Sequence, residues 1–248
     1  MTTLDTEKLL LVAEKAGKTA GELLKKLKGQ VVKSWAKDVK VNADFETHGV
    51  ILEMLKTSGI PILSEEDDIH DFGMDIKWVV DPLDGSINFL RGIPSSAVSI
   101  ALVCDGEPIL GVVYDFNREE MFSGIVGKGA WLNGERISVS SVRERSEAIL
   151  MTGFPSYTDY SREALNKYIS LVQSFKKVRL LGSAALSLAY VASGRADTYY
   201  EKDIKIWDVA AGLALVKAAG GSYTKTTIDK DGECTVSAGN SEALTDTT

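Results

Sequence analysis

Trp78-Val79-Val80-Asp81-Pro82-Leu83-Asp84-Gly85-Ser86-Ile87-Asn88-Phe89 is the stretch on which the reading of this chain turns. The apolar run of residues 76–80, interrupted only by Lys77, reads as a strand buried in a core, with Asp81 as the first residue past its carboxyl end. Ligands of layered α/β folds commonly bind at that edge. Pro82 fixes the turn, so Asp81 and Asp84 can converge on one point, where their charges repel unless a cation lies between them. Divalent magnesium suits such an all-oxygen set. Gly85 lets the backbone approach closely, the N–H groups of residues 85–87 could face a phosphate from the start of a helical turn, and the Ser86 hydroxyl is left to orient a water. Asp-Pro-Leu-Asp-Gly is also ordinary turn chemistry, so this segment alone leaves both readings open.

Two other segments repeat the theme. Ile60-Pro61-Ile62-Leu63 is a short apolar run that empties into Ser64-Glu65-Glu66-Asp67-Asp68. A solvated acidic face is the ordinary reading of Asp67 and Asp68. Downstream, Ile206-Trp207-Asp208-Val209-Ala210-Ala211-Gly212 opens a helix whose apolar positions continue through Leu213, Leu215, Val216 and Ala219 to a Gly220-Gly221 stop. Asp208 falls in its first turn, where an acid also complements the helix dipole.

In this order and spacing, Ser64-Glu65-Glu66, Asp81-Pro82-Leu83-Asp84-Gly85-Ser86 and Trp207-Asp208-Val209-Ala210-Ala211 with its trailing Ala219-Gly220-Gly221 resemble the inositol monophosphatase family of metal-dependent phosphatases. The likeness spans nearly the whole chain. Asn42-Ala43-Asp44, after the Lys37-Asp38 pair, is similar to the family's acid upstream of its second helix. Position 86 is Ser where many members carry Thr, and both supply a hydroxyl. The resemblance implies an α/β fold of five layers, α-β-α-β-α, and a phosphate monoester hydrolase that uses Mg2+, two to three ions per subunit. One ion is implied on Glu65, Asp81 and the Leu83 carbonyl, a second on Asp81, Asp84 and Asp208, and a third, weaker one on Glu65. Such ions neutralise a phosphate dianion and lower the pKa of bound water. Direct attack by that water is implied, with Glu65 and Ser86 orienting it, Asp44 supporting Ser86, and Gly85 and Ser86 on the phosphate. Glu66 reads as scaffold.

On the substrate side, beside Asp84 and Asp208, the turn Gly182-Ser183-Ala184 looks like the family's alcohol-binding turn, and Glu201 matches the acid that hydrogen-bonds a substrate hydroxyl. An ordinary helix cap at Ser183 and a surface acid are the plain alternatives. Ser193-Gly194-Arg195-Ala196-Asp197, the segment of residues 88–94 and the short chain are similar to compact archaeal members that accept both inositol-1-phosphate and fructose-1,6-bisphosphate. A bisphosphate needs a second cationic site, for which Arg162, Arg179, Arg195, Lys202 and Lys205 are candidates, with Arg179 and Arg195 foremost. Solvated surface is the usual fate of such residues. A 3′-phosphoadenosine-5′-phosphate nucleotidase of the same superfamily would need a base-stacking pocket, toward which only Phe154, Tyr157 and Tyr160 offer aromatics. An inactive cation-binding or partner-binding protein on this scaffold is the rival from another class, and the presence of every implied ligand argues against it.

With 248 residues and 44% hydrophobic content the chain can bury a large core. The text divides into an N-terminal lobe, residues 1–142, with most metal ligands, and a C-terminal lobe, residues 143–248, with Asp208 and the substrate contacts, forming one compact unit. Helices are expected over residues 5–28 and 44–57, strands over 60–63, 76–80, 97–103, 108–115 and 119–125, and a hairpin at Asn133-Gly134. The charged stretch 141–147 reads as a linker. Beyond it strands (148–152, 178–181, 196–200) alternate with helices (161–174, 183–193). No apolar run is long enough for a membrane span, and no signal or transit peptide is evident, so a cytoplasmic protein without membrane contact is expected. A net charge of −7 disfavours nucleic acid as a partner. Cys104 and Cys234 read as buried, reduced thiols. The strand-rich middle, residues 95–140, offers apolar surface that the resemblance places partly at the contact of a homodimer.

Overall fold

In the computed structural model the described residues are 4–27, 34–35, 38–39, 42–67, 73–154 and 159–240. Lys28, Lys37, Asp68 and Tyr157 lie outside them, and of Asp38 and Asn42 only the backbone is described. Helix α1 (Thr6–Leu27) is followed by a short antiparallel ribbon, β1 (Ser34–Trp35) and β2 (Asp38–Val39), and by α2 (Asn42–Leu55), which ends in a 3-10 turn (Lys56–Ser58). A seven-stranded sheet then forms from β3 (Ile62–Ser64), β4 (Ile76–Asp84), β5 (Ala97–Cys104), β6 (Glu107–Asp115), β7 (Glu120–Ile125), β8 (Gly129–Leu132) and β9 (Glu135–Ile137), in that spatial order. β3 is parallel to β4 and every other pair is antiparallel. The short helix α3 (Ser86–Arg91) joins β4 to β5. Asn133 and Gly134, both with positive φ, close the β8–β9 hairpin as expected.

The second half supplies β10 (Ile149–Thr152), α4 (Arg162–Gln173), β11 (Lys177–Arg179), α5 (Ala184–Ala192), β12 (Thr198–Lys205), α6 (Ile206–Ala218), β13 (Ser222–Lys225) and β14 (Glu233–Gly239). Its five strands run in the order β11-β10-β12-β14-β13, with β10 parallel to both neighbours and β14 antiparallel to both of its own. β13 and β14 have no counterpart in the sequence reading. Small and polar residues dominate both, and burial of Cys234, Val236 and Ala238 in the core overrides that weak propensity.

Side-chain alternation stacks these parts in five layers. On β5, Val98, Ile100 and Leu102 face a core shared with Leu10, Ala16, Leu24 and Ile51 of α1 and α2, whereas Ala97, Ala101 and Val103 face a second core with α5 and α6. α5 and α6 lie between the two sheets, since Met151, Tyr199, Val236 and Ala238 of the smaller sheet join that second core. α4 covers the smaller sheet's other face, where Leu171 and Val172 pack on Leu150 and Tyr200. The order is therefore α1/α2, large sheet, α5/α6, small sheet, α4, the five-layer α/β sandwich expected. Being covered on both sides explains why β5 and β6 read as continuous apolar runs, and why α6 is apolar all round. Gly111 of β6 permits the close approach of α6, because a Cβ there would lie 2.2 Å from the Ala211 carbonyl oxygen. Many of the apolar residues of 95–140 are buried within the chain, among them Val98, Ile100, Val112, Val113 and Phe122.

Three expectations need correction. Asp81 is not past the end of its strand: β4 runs on to Asp84, with a bulge in which Asp81 opposes Ser99 and Asp84 opposes Ala97. Pro82, which has no N–H to give a ladder, sits inside that bulge. Cys104 is half-buried rather than buried, because β5 ends there and the chain turns at Asp105-Gly106, while Cys234 is buried as expected. The third strand of the smaller sheet, expected over 196–200, continues through Glu201 and a register shift to Lys205. Among the described residues, no helix is long and apolar enough to cross a membrane.

Candidate functional site

The β4 bulge aims its acids inward. Asp81 is 2% and Asp84 7% exposed, so both carboxylates are removed from water. Asp81 accepts the Leu83 N–H at 2.9 Å through Oδ1, which folds the bulge over its own side chain. Leu83 is itself buried. From β3, which pairs with β4 in parallel, the chain turns at Glu65, whose N–H donates to Val80 O at 3.1 Å. Asp67 closes this turn by accepting the Ser64 N–H at 2.9 Å. Asp208 arrives from the other half of the molecule, in the first turn of α6. One carboxylate oxygen from each of Glu65, Asp81 and Asp208 lies within 4.8 Å of the others.

Burial first, then mutual repulsion, pushes these acids up. Glu65 is raised to about 7, by burial and by Glu66, Asp44 and Asp84, against a hydrogen bond with Asp81. Asp81 is held well above the carboxylate range by burial and by Glu65, Asp84 and Asp208. Asp208 is raised well above it by burial, Glu65, Asp84 and Glu201. Asp84 is raised to about 6 by burial although Ser183 and the backbone of Ala185, Ala184 and Gly85 all pull it down. Four carboxyls that each prefer to be neutral beside the others are relieved by a hard cation at their centre, and the all-oxygen donor set suits Mg2+. The residues present therefore fit such an ion.

Asp84 also explains how Ser183 is used. Its hydroxyl donates to Asp84 Oδ2 at 2.5 Å and accepts the Leu186 N–H at 3.2 Å, while the Ala185 N–H reaches the same Asp84 oxygen at 2.9 Å. The helix cap at Ser183 and a place at the site are thus one arrangement, since the start of α5 docks on Asp84. Gly182, with φ +68, and Ala184 flank it, and the Asn88 side-chain amide ties the turn to α3 by donating to Leu181 O at 2.8 Å and Ser95 O at 2.7 Å. Gly85 has φ +80, and a Cβ on it would lie 2.7 Å from Ser95 O and 3.0 Å from Gly182 O. Only glycine fits there. Ser86, half-buried, begins α3 immediately after it. Asp44, 5% exposed in the first turn of α2, is near enough to Glu65 to raise its pKa.

Glu201 is 7% exposed and is no surface acid. Its Oε2 accepts the Tyr199 hydroxyl at 2.8 Å, and burial pushes it up to about 7. Tyr199 and Gly153, which abuts this carboxylate, went unnoticed in the sequence. The signal for Tyr199 was present, because residues two apart on a strand share a face. A cleft of about 950 Å³ lies under α4 and includes Glu201, Lys202, Gly153 and Phe154, but none of Glu65, Asp81, Asp84 or Asp208. Among the candidate cations, Arg195 is engaged by both Glu120 oxygens at 2.6 and 2.7 Å and lies over the rings of Phe122 and Tyr190. Lys205 pairs with Glu233 at 3.0 Å. Arg179 is exposed and donates to Val178 O, Lys202 is exposed in the cleft beside Glu201, and Arg162 is exposed on α4.

A five-layer sandwich with an all-oxygen acid cluster between its halves defines an α/β protein equipped to hold divalent cations. The sequence matches the inositol monophosphatase family over residues 5–246, and the chain belongs to that family. The family is Mg2+-dependent and acts on small phosphorylated substrates. Among relatives, the protein named Nus factor SuhB of Xylella fastidiosa is 41% identical over 215 residues, 84% of this chain and 78% of that one. Among solved structures, the inositol monophosphatase of Anabaena (Nostoc) superposes with a TM-score of 0.85 at 31% identity, covering 98% of this chain and 95% of that one. The Thermotoga maritima enzyme TM1415 gives 0.80 at 33%, covering 96% and 92%.

Proposed function

We propose that this protein is a Mg2+-dependent phosphate monoester hydrolase acting on inositol-1-phosphate and on the C1 phosphate of fructose-1,6-bisphosphate. The observation that carries the reading is the convergence of Glu65, Asp81 and Asp208 within 4.8 Å, with buried Asp84 beside them. Glu65, Asp81 and the Leu83 carbonyl would hold one ion and Asp81, Asp84 and Asp208 a second, with Glu65 sharing a third. Bound Mg2+ supplies charge neutralisation of the phosphate and a lowered pKa for water. The chain's own groups do the positioning. Backbone N–H groups of the Gly85-Ser86 turn would receive the phosphate. Glu65 accepts the water's proton and, with the Ser86 hydroxyl, orients the water, supported by Asp44. The turn of Gly182, Ser183 and Ala184, with Asp84, Asp208 and Glu201, receives the alcohol.

Phosphate release from a panel of inositol, sugar and nucleotide phosphates, with Mg2+ and with EDTA, tests this. Cation-dependent release from the two polyol esters is expected, whereas activity confined to 3′-phosphoadenosine-5′-phosphate would overturn the substrate reading. For a bisphosphate we assign the distal phosphate to Arg179 in preference to Arg195, which Glu120 occupies. The name Nus factor borne by relatives supports a second reading, a partner-binding role on the same scaffold. Turnover of any phosphate ester separates an enzyme from a binding protein that lacks activity. A cytoplasmic homodimer remains our inference from the family resemblance, and a solution mass of twice 26.8 kDa is the expected measurement.

A further inference from the structure

Glu201 reaches the site as a buried carboxylate that its surroundings hold in one orientation. β12 alternates, so Tyr199 and Glu201 share a face, and the Tyr199 hydroxyl donates to Glu201 Oε2 at 2.8 Å. Tyr199 is 0% exposed, so its ring cannot leave and its hydroxyl cannot turn to water. Gly153, just past β10, faces the same carboxylate from the neighbouring strand. A Cβ there would lie 2.5 Å from Oε2 and 2.6 Å from Oε1, so any side chain would displace the acid. Tyr199 consumes a lone pair of one oxygen, which leaves Oε1 to accept from outside.

We propose that Tyr199 and Gly153 are positioning residues that set substrate selectivity. They hold Glu201 so that a hydroxyl on the alcohol part of the substrate is recognised, which favours phosphate esters of polyols over esters lacking such a hydroxyl. This rests on the phosphatase reading above. Neither residue touches substrate. A buried acceptor built for a hydroxyl discriminates strongly against an analogue without one, because the acceptor is then left unpaired. Losing the phenol hydroxyl lets the carboxylate rotate, and losing the glycine pushes it out of its slot. Both changes weaken polyol binding while the acids of the cation site stay in place.

The test compares the Mg2+-loaded wild type with Tyr199→Phe, which keeps the ring, and Gly153→Ala, on inositol-1-phosphate and phenyl phosphate. KM for inositol-1-phosphate should rise roughly 10-fold or more in both variants, with kcat within a few-fold, the loss expected for a hydrogen bond to a charged group. The ratio of kcat/KM for the two esters should fall by about the same factor. Tyr199→Phe should add nothing measurable on a Glu201→Ala background, because its effect runs through that carboxylate. Equal losses on both esters, an unchanged ratio, or an additive effect on Glu201→Ala would overturn the proposal while leaving the phosphatase reading intact. A wild type inert toward both esters would overturn both. Should Gly153→Ala fail to fold, Tyr199→Phe alone decides the matter.

Discussion

Two sets of acids in this molecule have opposite surroundings. In the central cluster, Glu65, Asp81, Asp84 and Asp208 are all raised, with burial first among the causes and, for Glu65, Asp81 and Asp208, neighbouring acids among the rest. At two points where the large sheet meets the second half of the chain, acids are instead compensated. Glu120 of β7 is lowered, chiefly by its hydrogen bonds from Arg195. Glu107 of β6 takes the Tyr223 hydroxyl at 2.5 Å and Lys225 at 2.9 Å, which outweigh burial and lower it too. The clasps hold the halves together and need nothing added. The cluster's acids remain raised as they stand, and on the function proposed above a divalent cation would complete it.

Removing a cluster acid should therefore abolish activity without unfolding the protein, and this is the largest effect we expect. Glu65→Gln, Asp81→Asn and Asp208→Asn should each lower kcat at least about 100-fold, as expected for loss of a metal ligand or general base. In EDTA the same variants should melt at or above the wild-type temperature, since each relieves repulsion. Near-normal turnover of all three at saturating Mg2+ would sink the assignment. Ser86→Ala should lose roughly 10- to 1,000-fold in kcat with little change in KM, because orienting a water matters mainly in the transition state. Ser86→Thr should stay active, and wild-type kcat in the alanine variant would reduce Ser86 to a turn residue.

Smaller is the effect at the outer cation. Arg179→Ala should raise KM for fructose-1,6-bisphosphate by roughly 10- to 100-fold, the loss of a charge-assisted contact, and leave inositol-1-phosphate within a few-fold. Equal KM changes on both substrates would show that Arg179 meets no distal phosphate.

How much of this could be read from the sequence differs between the same two regions. The cluster was legible because the three acid-bearing segments, in their order and spacing, resemble those of one family, although each alone also reads as turn, surface or cap chemistry. Its detailed shape was not. The bulge that keeps Asp81 within β4, and the docking of Ser183 on Asp84 across 99 positions, depend on register and tertiary contact. The clasps gave no local signal at all, as Glu120 and Arg195 are 75 positions apart in segments that read as generic surface. That is why Arg195 looked available for a phosphate. The five layers were implied by the family resemblance, and β13 and β14 escaped because packing rather than propensity makes them strands.

The two sets of acids should also respond oppositely to pH once divalent cations are removed. Glu65 is at about 7 against an ordinary 4.5, and Asp84 at about 6 against 3.8, so the folded protein holds protons that the unfolded chain releases. The stabilisation from such raised groups is complete below the unfolded values and is lost as pH rises through the folded ones. In EDTA the melting temperature should thus fall by roughly 5 °C or more between about pH 4.5 and 7.5. Added Mg2+ should restore it, and by more at pH 7.5 than at pH 5, because the ion binds the deprotonated acids. A flat EDTA profile would mean that the cluster is relaxed without a cation.

The clasps should show the reverse sign and the smallest effect. Glu120 and Glu107 are lowered, so their contribution is present above the ordinary carboxylate pKa and fades as pH falls through the depressed values. Arg195→Ala should cost only about 1 kcal/mol, because the guanidinium is 37% exposed and such pairs are screened by water. Loss of its stacking on Phe122 and Tyr190 adds a few tenths to about 1 kcal/mol, for a total melting shift of roughly 2 to 6 °C. Glu120→Gln should show less than that, since the stacking survives. The Arg195→Ala shift should shrink as pH falls through the depressed pKa of Glu120, while kcat/KM on both phosphate esters at pH 7.5 stays within a few-fold. If Arg195→Ala instead raises KM for the bisphosphate alone, with no change in melting, the arginine serves the substrate after all and the division between compensated and uncompensated acids fails at this position.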